Sequence, residues 1–414
     1  MSARLLRRLV PSTRAGAAAG GATIAAVLTA AGMALAVPAA SPVVHGCYKT
    51  KGTPHALSVQ TGGTAKCPAG YTALTWNVQG PQGKQGIQGK QGVQGPPGPP
   101  ASSGLDPARV ATLNWWGGNY SAPADDFSKP DAVAFDGTHV WVTNDTGNSV
   151  TELNPASGTA IGNFSAAADN FDQPDAIAFD GSHVWVANYG NNSVTELNAA
   201  DGSLVSNYNA AADGFGEPDG IAFDGSHVWV TNFSANSVTE LNASNGSLVK
   251  DDTGVQLDGP AGIAFDGSYL WIANAADSHI VQLTDTGAFQ GQLGSAYGFS
   301  DPAGVAVDGT HVWIANNGGN SVSELSENGQ WIATLSGGSY GFSDPTGVAF
   351  DGRDVWITNT GGNSVTELSA ATGAWIQTVT GGTYGFGQPA GIAFDGSRVW
   401  VANGSGSVTD IVTG

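Results

Sequence analysis

Residues 175–197 read DAIAFDGSHVWVANYGNNSVTEL. The apolar run DAIAF meets Asp180-Gly181, a dipeptide that opens tight hairpin turns. A second run, HVWVA, follows, then an Asn/Gly-rich turn and a third run, SVTEL. Short β-prone runs separated by turn residues spell an up-and-down sheet. The runs are continuously apolar rather than alternating, as expected of strands buried on both faces. Such a sheet must lie between two others.

The chain repeats this unit seven times. The Asp-Gly aspartate recurs at Asp136, Asp180, Asp224, Asp266, Asp308, Asp351 and Asp395, at spacings of 42 to 44 residues. Five residues after each stands a tryptophan, and three after that an asparagine, beginning with Trp141 and Asn144. A period of this length with several strands per unit predicts an all-β, seven-bladed β-propeller of four-stranded blades. In the second unit strand A spans 175–179, strand B 183–187, strand C 193–197 and strand D about 202–208. The last unit stops after strand C, and 109–116 (RVATLNWW) stand in the position of a strand D before the first unit. These residues are expected to complete the last blade and close the ring, removing an open edge.

The shared pattern P-x-[AG]-[IV]-A-F-D-G-[ST]-H-V-W-[VI]-[AT]-N-x-x-x-N-S-V-T-E-L resembles NHL-like propellers, including the streptogramin lyase-like and gluconolactonase-like groups. The resemblance spans 109–414 and implies a ligand mouth lined by D–A and B–C loops. From the streptogramin lyases it implies a histidine base with a metal-holding carboxylate near the channel, and His279 is the one histidine placed on that mouth. From the gluconolactonase-like group it implies a divalent metal held by Glu, Asn and Asp. Asp and Asn are present here, but no Glu stands in strand A.

Three regions precede the array. Residues 1–40 carry four arginines, then an uncharged Ala-rich run and small residues, the pattern of an export signal, with an uncleaved anchor as the alternative. Residues 41–79 form a small module with the chain's two cysteines, Cys47 and Cys67, expected to pair in an oxidising compartment. The module resembles a two-cysteine unit found ahead of collagen-like stretches in secreted bacterial proteins. Residues 80–100 place glycine at every third position, as a collagen-like helix requires at its crowded axis. Seven triplets make either a short trimerising stalk or an extended spacer. Residues 101–108 read as a linker.

No acid precedes Asp106, and the 34 acids from it onward face five bases, a net charge of −29. That excess repels nucleic acid and anionic membranes and suits cations or cationic partners. A site is usually made once, so what repeats in every blade, the Asp-Gly turns and the tryptophans, is read as scaffold; the turn histidines of four units, His139, His183, His227 and His311, are read as hairpin residues on the rim opposite the mouth. What differs is more informative. After the proline that opens strand A stand Asp131, Asp175 and Asp219 in three adjacent blades, against Ala261, Ala303, Thr346 and Ala390 in the rest. With Asn144, Asn188 and Asn232 nearby, these oxygens suit Ca²⁺ or Mg²⁺; alternatively the aspartates cap loop backbone. The fourth unit adds Asp277 and His279. The sequence reads as a secreted or cell-surface propeller, non-catalytic, binding a protein or small molecule at its mouth; the alternative is a metal-dependent lyase or lactonase.

Overall fold

The computed structural model describes residues 117–413, apart from 122–125, 210 and 383, together with the backbone of three strands nearer the N-terminus. Those three belong to a separate compact unit. Val43–Lys49 lies at the centre, antiparallel to Leu57–Thr61 on one side and Tyr71–Asn77 on the other. Cys67, the export segment, the collagen-like residues 80–100 and the linker all lie outside the described residues, and so does the expected Cys47–Cys67 pairing.

The second unit is the array, with seven four-stranded antiparallel sheets, one per repeat. In blade 2 the strands run Pro174–Phe179, His183–Asn188, Ser193–Asn198 and Leu204–Tyr208, in order from the inside outward. The ring closes as anticipated, through a segment ahead of the first blade, but at a different place. The fourth strand of blade 7 is Asn119–Tyr120, pairing with Val408 and Thr409 of Ser407–Val412. Residues 109–116 lie outside the described residues.

Hydrophobic clusters lie between blades rather than within them. Trp141 and Val150 of blade 1 pack on Ile177, Val184, Val186 and Leu197 of blade 2. The pattern continues round the ring until Trp400 and Val408 of blade 7 meet Val133, Val140, Val142 and Leu153 of blade 1. In strand B, therefore, the tryptophan faces the next blade and its flanking β-branched residues face the previous one. All seven tryptophans are fully buried, and each large aromatic removes enough area to dominate its wedge.

One aspartate per blade organises this packing. Its Oδ1 accepts two backbone N–H groups of the A–B turn at 2.6–2.9 Å. Its Oδ2 accepts the tryptophan indole N–H of strand B at 2.7–2.9 Å. Burial alone would raise the pKa of Asp180, Asp224 and Asp308, but these donors outweigh it and hold the carboxyls below their ordinary value. The turn histidines sit beside the same aspartate: His183 Nδ1 lies 3.2 Å from Asp180 and 3.3 Å from Glu196 of strand C. They belong to the scaffold of the A–B rim.

A second device joins neighbours. The last residue of the B–C turn has positive φ, 46–59° in six blades. Its side chain accepts the backbone N–H of the residue that precedes the strand-A proline in the next blade. The acceptors are Asn148, Asn192, Asn236, Ser278, Asn320 and Asn363, at 2.6–3.1 Å. Asparagine tolerates the left-handed conformation better than most residues, and its short amide reaches the neighbour. Blade 7 has Gly406 there, with no side chain to offer blade 1.

Candidate functional site at the mouth of blades 1 to 3

Each strand A begins with a proline paired to the strand-B asparagine, followed by a bulge. Asp131, Asp175 and Asp219 fall in these bulges, directly after the proline. A bulge leaves its extra residue outside the ladder and re-aims its side chain. Where five blades carry glycine at the next position, a Cβ would lie 2.1–2.4 Å from the neighbouring strand A carbonyl. Blades 1 and 2 carry Ala132 and Ala176 there. The inner strands therefore cannot crowd as closely in the sector that holds the aspartates.

The residue before each proline has φ of 47–56°, which projects Lys129, Gln173 and Glu217 from the loop. Lys129, Asp145, Gln173, Asp175 and Tyr189 line one cavity of about 210 Å³. A more open depression of about 360 Å³ adjoins the D–A loop, lined in part by Asn148, Asn170, Asp172 and Asn191. Lys129 Nζ is hydrogen-bonded to Asp145 Oδ2. Tyr189 Oη donates to Glu217 Oε2 at 3.1 Å.

The carboxylates are crowded. Burial pushes the Asp175 carboxyl well above its usual range, and the charge of Asp131, a hydrogen bond with Asp131, and the charges of Asp219 and Asp145 push it further. Asp219 is raised to about 7, first by burial and then by Asp131. These groups differ from the turn aspartates, which are surrounded by donors. Lys129 is shifted upward, chiefly through its hydrogen bond to Asp145.

The structure thus brings Asp131, Asp175 and Asp219 together. Among the described residues no group of three or more His, Cys, Asp or Glu is arranged to hold an ion. Asn144, Asn188 and Asn232 end strand B of their blades. They are fully buried, and their amides donate to strand-C hydroxyls, Ser193 Oγ at 3.1 Å and Thr195 Oγ1 at 2.9 Å from Asn188. His279 stands where the other blades place that serine. Its Nδ1 lies 2.7 Å from the Asp277 carbonyl and 3.2 Å from its carboxylate, and Asp277 also accepts from Gln292 at 3.3 Å. This His–Asp pair is tied into blade 4, whereas the aspartate cluster belongs to blades 1–3.

Sequence reading missed Lys129, Asp145, Tyr189 and Glu217. The position after the strand-B asparagine reads Asp145, Tyr189, Phe233, Ala275, Asn317, Thr360 and Gly404. Its variability within an otherwise regular repeat is the signal that marks it.

No protein-family model matches the chain, and no curated protein matches it in sequence. Solved structures do match in shape. A catalytically inactive histidine-to-alanine variant of virginiamycin B lyase from Staphylococcus aureus, crystallised with quinupristin, aligns with TM-score 0.61 at 19% identity, covering 72% of this chain and 99% of that one. A streptogramin B lyase gives 0.60 at 20% identity, covering 72% and 98%. Hydrazine synthase of Kuenenia stuttgartiensis gives 0.57 at 18% identity, covering 70% and 96%. The chain shares the seven-bladed propeller fold of these proteins.

Proposed function

We propose that the chain is an exported, non-catalytic propeller that binds a ligand at the mouth of blades 1–3 and is carried on the collagen-like residues 80–100. The observation behind this reading is the asymmetry of the mouth. In a molecule that repeats its turns, tryptophans and inter-blade clips, one sector alone gathers Asp131, Asp175 and Asp219, with Asp145, Glu217, Lys129 and Tyr189 around them. Crowding of carboxylates without donors opposes folding, so a sector that retains it is best explained by what it receives. The lyase or lactonase alternative draws on the shared fold, but His279, its one base, is held by Asp277 in blade 4.

Thermal-shift screening of the mature chain against small molecules and peptides tests the reading. A ligand bound to the native state raises the melting temperature, and the increase should be lost in Asp175→Asn and Tyr189→Ala. Hits that ignore both substitutions would place binding elsewhere. Turnover of a cyclic depsipeptide or lactone would overturn the non-catalytic part. Sedimentation with and without residues 80–100 separates a trimeric stalk from a spacer.

A further inference from the structure

We infer that the mouth of blades 1–3 receives a primary ammonium group on a flexible aliphatic stem, such as a lysine side chain or an alkyl diamine. This deepens the mouth-binding reading and rests on it.

The cavity is lined by Asp145, Asp175, Lys129, Gln173 and Tyr189; Asp131 and Asp219 act on Asp175, and Glu217 accepts from Tyr189, so among the described residues that line it Lys129 is the one cation. An acidic cluster alone would say little. The second observation is Asp145. Its side chain is only 8% exposed, it lines the cavity, and its Oδ1 has no hydrogen-bond partner although Oδ2 holds Lys129. A buried carboxylate oxygen left without a donor is costly, and a donor entering the cavity would satisfy it.

The chemistry of the donor follows from the arrangement. Asp145 of blade 1 and Asp175 of blade 2 line the cavity together, and the charges of Asp131 and Asp219 reach Asp175. A compact ammonium with three N–H donors can meet such a set, whereas a planar guanidinium prefers one carboxylate face. The chain supplies its own example: the Lys129 ammonium already sits on Asp145 and in the fields of Asp131 and Asp175. Lys129 is half exposed, so it forms part of the rim rather than a plug. A divalent ion is disfavoured because no three carboxylates are arranged as its ligands among the described residues. Burial and then Asp131 hold the Asp175 carboxyl well above its usual range, and an incoming ammonium would favour its ionised form and so release protons to solvent. The cavity of about 210 Å³ holds a head group and short stem.

The test is calorimetric titration of the mature chain with n-pentylamine, with 1-pentanol as the neutral isostere and MgCl₂ as the competing ion. It is run near neutral pH in two buffers of different ionisation enthalpy. The amine is expected to bind at least about tenfold more tightly than the alcohol, and binding should release protons. Asp175→Asn should weaken the amine about tenfold and abolish the release, while Asp277→Asn leaves both unchanged. Equal binding of amine and alcohol overturns the inference, as does amine binding that survives Asp175→Asn in a folded variant, or Mg²⁺ excluding the amine from the site. If neutral ligands depend on Asp175 and Tyr189 while the amine does not bind, the mouth reading stands and the ammonium assignment falls. If no ligand depends on them, both fall.

Discussion

Replacing Asp219 by asparagine removes a carboxyl that the folded chain holds as an acid up to about pH 7, against an ordinary value of 3.8. Between those values the folded state binds the proton more tightly than the unfolded chain. Stability therefore falls as pH rises through the window, and the penalty is absent below it. At about 1.4 kcal/mol per pH unit the full shift corresponds to ~4 kcal/mol. Asp219 is partly exposed, and screening by water should roughly halve the effect, to ~2 kcal/mol. The charge of Asp219 also raises Asp175, so its removal relieves a second carboxyl in the same direction. The expected result is that Asp219→Asn is close to neutral near pH 4 and stabilises the propeller by ~2 kcal/mol near pH 8. Urea denaturation followed by fluorescence of the buried tryptophans measures this as the difference in stability between variant and parent at the two pH values. The turn aspartates titrate in both proteins and cancel. An equal effect at both pH values, or a loss of stability near pH 8, would refute the assignment of Asp219 as a crowded, donor-poor carboxyl.

Gly262→Ala places a Cβ 2.1 Å from the Ala303 carbonyl and should cost ~2–3 kcal/mol, seen as a lower urea midpoint with unchanged slope. Asn192→Ala removes the acceptor 2.7 Å from the Glu217 N–H and leaves a non-glycine residue at positive φ; a loss of ~1–2 kcal/mol and faster hydrogen exchange of the Glu217 amide are expected. Asp180→Ala orphans two turn amides and the Trp185 indole; it should cost ~3 kcal/mol, and a double-mutant cycle with Trp185→Phe should show a coupling of ~1 kcal/mol.

Repetition made the fold legible. With the Asp-Gly turn, tryptophan and asparagine recurring in every unit, blade count and strand order followed, and most strand limits agree within a residue or two. The closing strand was harder to place, because Asn119–Tyr120 is too short to carry a pattern while RVATLNWW looks like a strand. At the site, Asp131, Asp175 and Asp219 stood out because four other blades replace them. Asn144, Asn188 and Asn232 hold a position that recurs in all seven blades, and their buried amides donate to strand-C hydroxyls, a scaffold contact that an asparagine beside a loop does not announce. Lys129 and Asp145 were invisible because their meeting depends on a left-handed residue before a proline, a conformation that proline ordinarily disfavours in its predecessor.

The inter-blade clip is present at six junctions and replaced by Gly406 at the seventh. At that same junction the outer strand of blade 7 is two residues long, steadied by Tyr120 stacked 5.7 Å from Trp400. The segment that closes the ring is also the one leading back to residues 80–100. Tension on that leading segment is thus delivered first to the least secured edge of the circle, as a pull on a latch rather than on a wall. Drawn by the N-terminus, such a ring is expected to part first where Tyr120 meets Val408, Asn119 meets Thr409 and the Asp410 N–H donates to the Gly118 carbonyl at 3.0 Å, before the blades themselves separate.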